Sequence, residues 1–398
     1  MARRPKLLYL VSEDWYFVSH RLPLAAAARA AGFDVSVATR VGRHGERIRD
    51  AGLGLIPITF ARSGLNPWRE LRSLSELVAL YQSEAPDLVH NVAVKPVIYG
   101  THAARRAGVK GVVNALMGLG WAFSSDSMKA RALRPLIRRA LRGALSAPNT
   151  RTIVQNVNDA ALVANQRLTQ QDLIRLIRGS GVDPSRYSIG APPAGIPLVV
   201  LPARLLVAKG VGEFMRAAAK LKAEGVKARF AVVGEPDTAN PAAIAREEVE
   251  RFVKAGHVEH WGWREDIPHV LSSASIVCLP TFYGEGLPKA LLEAAASARA
   301  IVATDVPGCR EIVRPGENGW LVPPRDVPAL AAALRTAIAQ PDLCARYGAA
   351  GRRMVEREFS LDVVIRDTLA VYGELVAMPA MSAPQVRTAD AGFRRRAG

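Results

Sequence analysis

The sequence predicts an α/β protein of two Rossmann-like, doubly wound domains facing each other across a central cleft, and three observations predict it. Apolar strand-like runs alternate with helical runs of ten or more residues, the pattern of parallel sheets with crossover helices. That alternation restarts after Gly195, beyond a segment rich in Pro and Gly (Asp183–Ile196). The chain has 398 residues, 49% of them hydrophobic, too many for one ordinary core and ample for two.

Taken in order, Lys6–Val11 reads as a buried strand, Leu22–Ala31 as an Ala-rich helix stopped by Gly32, and Asp34–Thr39 as the next strand. Asp87–His90, Val109–Asn114 and Thr152–Gln155 continue the first series as strands. The second series runs through a strand at Pro197–Pro202, a helix at Gly212–Ala223 and strands at Ala228–Val233 and Ile276–Pro280. A helix at Lys289–Ala298 and a strand at Ala300–Thr304 follow. The expected domains are 1–190 and 191–357, with a helix within 358–378 packing back on the first domain and a disordered basic tail at 379–398. In such sheets ligands bind beyond the carboxyl ends of the strands, which places the site in the cleft.

Charge is distributed unevenly. Residues 1–190 hold 27 Lys or Arg against 13 Asp or Glu, whereas 191–378 hold 22 of each. A basic first half suits an anionic partner: nucleic acid, a membrane surface or a phosphorylated acceptor. No apolar stretch nears the roughly 20 residues that span a bilayer. The first apolar run is short and is followed at once by Glu13 and Asp14, so it reads as a strand and not as a leader. Three cysteines without metal-ligand spacing fit a reducing cytoplasm, and the seven histidines are dispersed, so no metal site is expected.

Two motifs carry chemistry. Gly284-Glu285-Gly286-Leu287-Pro288-Lys289 follows one strand and opens a helix, so glycine backbone and helix-end amides can approach an anion. Glu285 and Glu293 can accept hydrogen bonds from hydroxyls at two ends of one polyol ligand. Arg204-Leu205-Leu206-Val207-Ala208-Lys209-Gly210 places two cations at a strand's carboxyl edge, where they can hold a diphosphate and stabilise its growing charge as it leaves.

These two pairs, E-x7-E and R-x4-K, stand with Val232-Val233-Gly234 and Val306-Pro307-Gly308-Cys309-Arg310-Glu311. Together they resemble the retaining glycosyltransferases of family 4, which have the GT-B fold. Ser19-His20-Arg21-Leu22-Pro23-Leu24, Gly118-Leu119-Gly120-Trp121 and Asn318-Gly319-Trp320-Leu321-Val322-Pro323-Pro324 are similar to the capsule, O-antigen and exopolysaccharide subgroup. The resemblance runs from about Lys6 to about Gly373. It implies that Arg204 and Lys209 grip the donor diphosphate, Glu285 contacts the transferred sugar, Gly286 and Leu287 offer amides, and Glu293 bonds the ribose. Gly234, Trp263 and Arg264 belong to the implied donor site, the latter two near the base. It further implies a nucleotide-sugar substrate, UDP by family weight, no bound metal or cofactor, and a polyprenyl-diphosphate-linked or other glycolipid acceptor. Met117 stands where many members carry a histidine, so that helper is not assigned by analogy, and His20 is the remaining first-domain candidate.

On the acceptor side, Arg21 and Lys95 are candidates for an acceptor phosphate. Met128–Leu145 reads as a basic amphipathic helix with Arg131, Arg134, Arg138 and Arg142 at helical spacing, suited to an anionic membrane surface, to a polyprenyl-diphosphate head group or to a soluble basic face. The expected location is the inner face of the cytoplasmic membrane. Two other readings stay open: a nucleotide-sugar epimerase on a similar fold, and a basic nucleic-acid-binding protein, for which no recognition motif is present. Donor identity, acceptor and oligomeric state are left open.

Overall fold

The computed structural model describes residues 3–60, 67–118, 123, 128–190, 194–237, 240, 242–282, 284 and 286–377. One sheet holds β1 (Lys6–Glu13), β2 (Asp34–Arg40), β3 (Gly54–Pro57), β4 (Leu88–Val92), β5 (Gly111–Leu116), β6 (Thr150–Val154) and β7 (Ile174–Leu176) in the order β3-β2-β1-β4-β5-β6-β7. The other holds β8 (Leu198–Pro202), β9 (Arg229–Val233), β10 (Glu259–His260), β11 (Ile276–Leu279), β12 (Ala300–Thr304) and β13 (Gly319–Val322) in the order β10-β9-β8-β11-β12-β13. Every strand pairing in the two sheets is parallel. Helices cover the faces, so β4, β5, β8 and β12 are buried along their whole length; β8 and β12 read as unbroken apolar or small-residue runs, whereas β4 and β5 carry buried His90, Asn91 and Asn114.

The structure adds four strands that the sequence did not indicate: β3, β7, β10 and β13, all of two to four residues, too short to show a period. β5 also begins two residues later than expected, because the chain is still turning at Gly108 (φ 71°). Both sheets change direction of winding beside their first strand, between β1 and β4 and between β8 and β11, and the carboxyl edges there are the switch points.

The chain crosses between lobes twice, and the two crossings touch. Val182 N donates to Phe359 O at 3.2 Å, and Leu361 N donates to Val182 O at 2.8 Å. Gly181, at φ 73°, lets them meet; a Cβ there would lie 2.7 Å from Leu361 Cα. After the second crossing Ser360 caps the Leu361–Gly373 helix, whose Val364, Leu369 and Tyr372 enter the first lobe's core with Tyr9, Phe17 and Phe33. The Tyr372 hydroxyl sits 2.7 Å from the Tyr9 hydroxyl and 2.6 Å from His90 Nδ1. Glu374 adds ion pairs to Arg151 and Arg175, both at 2.6 Å. The end of the described chain is therefore physically part of the first lobe. Residues 378–398, which include the basic tail, lie outside the described residues.

Candidate active site

In the second lobe, the loop after β8 carries Arg204 and Lys209 and ends at Gly210, which has φ 73°. A Cβ on Gly210 would lie 2.0 Å from Pro280 O, so only glycine lets this loop pack against the end of β11. There Ala208 O accepts from Phe282 N and from Thr281 Oγ1, both at 3.0 Å. Gly234, at φ 144°, repeats the device after β9, with its would-be Cβ 2.0 Å from Ala203 O. Its N–H donates to Gly262 O at 2.8 Å, and its carbonyl lies 2.8 Å from His260 Nε2. Arg204 is thus fixed between adjacent loops; its guanidinium pairs with Asp237 at 2.7 Å and lies 5.5 Å from the ring of Trp15 in the other lobe.

The first lobe meets this edge with the segment after β1. The chain enters a helix at Asp14–His20 directly, and Arg21 separates it from the Leu22–Ala30 helix. His20 stacks on Tyr16, ring centroids 4.3 Å apart, with Nδ1 3.3 Å from Tyr16 O. Burial, reinforced by the positive charges of Lys289, Arg21 and Lys209, pushes the His20 pKa down to about 3. Its imidazole is neutral at ordinary pH and can accept as well as donate. Arg21 is buried and donates to Met117 Sδ.

The lobes touch at Gly286. A Cβ there would lie 2.1 Å from Gln155 Oε1 and 2.9 Å from the Met117 carbonyl carbon, and Asn156 Nδ2 donates to Gly286 O at 2.8 Å. Leu287 faces Gly179. Lys289, first residue of the Lys289–Ala296 helix, donates to Ser19 O at 2.8 Å and lies 3.5 Å from Glu293. Glu293 also accepts from Tyr187 Oη at 3.0 Å. Glu311 makes a further tie across the cleft, accepting from Val157 N and from Arg178 Nε, both at 3.0 Å. Tyr187, Lys289, Asn156, Gln155 and Trp15 were not singled out from the sequence as contacts. Their partners are distant in the chain, so no local signal announces them.

The structure therefore gathers Arg204, Lys209, Gly234, Gly286, Leu287, Glu293, His20 and Arg21 at the facing edges of the two lobes. Glu285 lies outside the described residues. Several expectations need correction. His20, expected near the cleft, closes a helix into which β1 runs directly. Lys95 opens the Val94–Arg106 helix and is spoken for: it pairs with Glu70 at 2.8 Å between the rings of Phe60 and Tyr99. Arg142 donates to Arg167 O at 2.9 Å and to Gln166 O at 3.1 Å, closing a turn of its own lobe. Arg134 is half-buried, so Arg131 and Arg138 are the exposed members of that row besides the bonded Arg142. Trp263 is 66% exposed, and Arg264 forks onto Asp266 at 2.7 and 2.6 Å. Beside them Trp261, Arg264, His269, Val270 and Ser273 line a recess.

Two family models match the chain in register with the two lobes. Glycosyl transferase 4-like matches residues 6–147, and Glycosyl transferases group 1 matches residues 196–340. The chain belongs to the group 1 and 4-like glycosyltransferases. Of the three readings open at the level of sequence, the match selects the transferase over the epimerase and the nucleic-acid-binding protein. The chain is 28% identical over 312 residues to the N,N'-diacetylbacillosaminyl-diphospho-undecaprenol alpha-1,3-N-acetylgalactosaminyltransferase of Campylobacter jejuni, covering 75% of this chain and 80% of that one. It is 34% identical over 165 residues to the putative colanic acid biosynthesis glycosyltransferase WcaL of Salmonella typhimurium, covering 39% of each. Among solved structures, the glycosyltransferase resembles Anabaena Alr3699/HepE in complex with UDP and glucose (TM-score 0.74, 17% identity, 93% of this chain and 100% of that one). It also resembles sucrose-phosphate synthase from Thermosynechococcus elongatus (TM-score 0.77, 20% identity, 94% and 99%). At these identities the structures show the shared GT-B fold.

Proposed function

We propose that this glycosyltransferase moves a hexose or N-acetylhexosamine from a UDP-sugar to a polyprenyl-diphosphate-linked or other glycolipid acceptor in cell-surface polysaccharide synthesis, with retention and without a bound metal. One observation carries the reading: the Arg204–Gly210 loop is locked by glycine packing and main-chain bonds onto the β11 edge, opposite a basic segment of the other lobe. Arg204 and Lys209 hold the diphosphate, and their charge takes the place a metal would fill. Gly286 and Leu287 offer amides, Glu285 orients the transferred sugar and Glu293 holds the ribose. Gly234 lets the loops close on the donor, and the recess by Trp263 and Arg264 takes the base. In the reaction the bond from the anomeric carbon to the diphosphate oxygen breaks with its electrons going to the diphosphate. The acceptor oxygen bonds that carbon on the same face, and its proton passes to the departing phosphate. UDP in the HepE complex and the undecaprenol-diphosphate acceptor named for the Campylobacter relative support the choice of substrates.

The acceptor lobe is also proposed to rest on an anionic bilayer at the inner face of the cytoplasmic membrane. No helix among the described residues is long and apolar enough to cross one. Support comes from exposed Trp68 and Leu71 on the Pro67–Glu84 helix, and from exposed Met128, Leu136, Arg131 and Arg138 on the Met128–Leu145 helix.

Lys209→Ala tests the donor assignment. With the fold intact, turnover should fall by about 10²-fold or more, the scale for removing one preorganised charge contact at a leaving group. Near-unchanged turnover in a folded variant removes the assignment. A thermal-shift panel of UDP, GDP, ADP and their sugars fixes the donor class.

A further inference from the structure

Arg21 is a buried cation for which the described protein supplies no negative charge. It is 3% exposed, one terminal nitrogen donates to the thioether of Met117, and its Nε is buried without a partner. A guanidinium carries five N–H donors, and a sulfur acceptor is a weak match for any of them. The groups around it are neutral. Tyr9, Tyr372 and His90 bond one another in the core, and His20 is held neutral. An unpaired buried charge is strongly unfavourable and is kept where a ligand supplies the missing partner. Lys209 and Lys289 approach the same His20 imidazole from the opposite lobe, so positive charge converges there from both sides.

We propose that Arg21 binds a phosphate oxygen of a substrate in the closed cleft, and that this phosphate belongs to the acceptor. The inference rests on the glycosyltransferase reading above and extends it to the first lobe. Arg204 and Lys209 already serve the donor diphosphate in the second lobe. Arg21 lies on the lobe that receives the acceptor, next to Met117, whose carbonyl carbon would lie 2.9 Å from a Cβ on Gly286. Its planar fork suits a phosphate better than an ammonium would.

Calorimetry on the full chain tests this, using UDP first and then geranyl diphosphate added at saturating UDP as the probe of a second phosphate site. In Arg21→Gln the Kd for geranyl diphosphate should rise at least about tenfold while the Kd for UDP stays within twofold, and Arg21→Lys should recover part of the loss. A tenfold weaker UDP instead keeps the phosphate anchor and moves its source to the donor. Both affinities within twofold of wild type, or no saturable geranyl diphosphate binding by the wild type with UDP unmoved in Arg21→Gln, overturns the proposal. Should the Gln variant not fold, Arg21→Lys carries the same comparison. Met117→Leu separates direct binding from support of the loop: wild-type affinities are expected, and a loss equal to that of Arg21→Gln would show that Arg21 acts only through Met117. UDP binding abolished by Lys209→Ala, with both the UDP and the geranyl diphosphate affinities unmoved in the Arg21 variants, leaves the transferase reading standing and removes only this one.

Discussion

In the second lobe, the loops after β8, β9 and β11 are tied to one another through Gly210, Gly234 and main-chain bonds at Ala208 and Gly262. In the first lobe, the same edge of the same kind of sheet is left with unused hydrogen-bonding capacity. Among the described residues nine buried side-chain nitrogen or oxygen atoms lack a protein partner; eight belong to the first lobe, and Arg299 Nε is the ninth. Charge follows the same division, with most of the excess of Lys and Arg in residues 1–190 and residues 191–378 balanced. Loops locked by glycine contacts hold their charges in place without reorganising, which suits a group whose charge grows during the reaction. Four of those atoms, Arg21 Nε, His90 Nε2, Asn91 Oδ1 and Asn114 Nδ2, lie on the segment after β1 and on the neighbouring strands β4 and β5. One topology therefore supports a half whose loops are tied together and a half that keeps buried polar atoms without protein partners.

The largest effect that bears on this contrast is expected at Gly210. Gly210→Ala puts a methyl 2.0 Å from Pro280 O and forces an L side chain to φ 73°, so stability to urea should fall by about 3 kcal/mol. A loss below about 1 kcal/mol would mean the donor loop is not locked, and the two lobes would then differ less than we argue.

Vesicle binding sharpens the contrast at intermediate size. Trp68, 81% exposed, lies on the first lobe, whereas Trp263 is the exposed tryptophan among the described residues of the second. A Trp68→Ser, Leu71→Ser variant should co-sediment about tenfold less with vesicles containing phosphatidylglycerol, while Trp263→Ser should match wild type. Equal losses from both would erase the distinction between lobes. Binding to neutral vesicles as strong as to anionic ones would count against the role of Arg131 and Arg138, each worth about 1 kcal/mol near an anionic surface.

The last test concerns acid. His20 has a folded pKa of about 3 against an ordinary 6.5, and burial holds His90 well below its ordinary value too. The unfolded chain therefore binds protons that the folded chain refuses. Stability is full above about pH 6.5 and declines as pH falls from there toward 3, by up to about 1.4 kcal/mol per pH unit for each histidine. His20→Gln should flatten that decline between pH 6 and 4 in a denaturation series. An unchanged slope would place a charged His20 in the fold and undo the neutral surroundings described for Arg21.

Much of this was legible before the structure. Apolar runs such as Leu7–Val11, Val199–Leu201 and Ile301–Ala303 announce buried parallel strands, because water is excluded from both faces of such a sheet. The order of motifs announced the family, since Arg204, Lys209, Glu285 and Glu293 keep their spacing within single loop and helix units. Lys95 and Arg142 misled because a cation in a sequence shows no partner; Glu70, 25 residues away, and the carbonyls of Gln166 and Arg167 complete them only in the fold. The sequence by itself thus determined two wound sheets and the motifs that mark the family, all local in the chain. The tertiary structure decided which cations are neutralised, that His20 is kept uncharged, that Arg21 is buried without an anion among the described residues, and that Gly286 is the seam between lobes. Those outcomes depend on burial and on contacts between residues far apart in sequence, which no local pattern encodes.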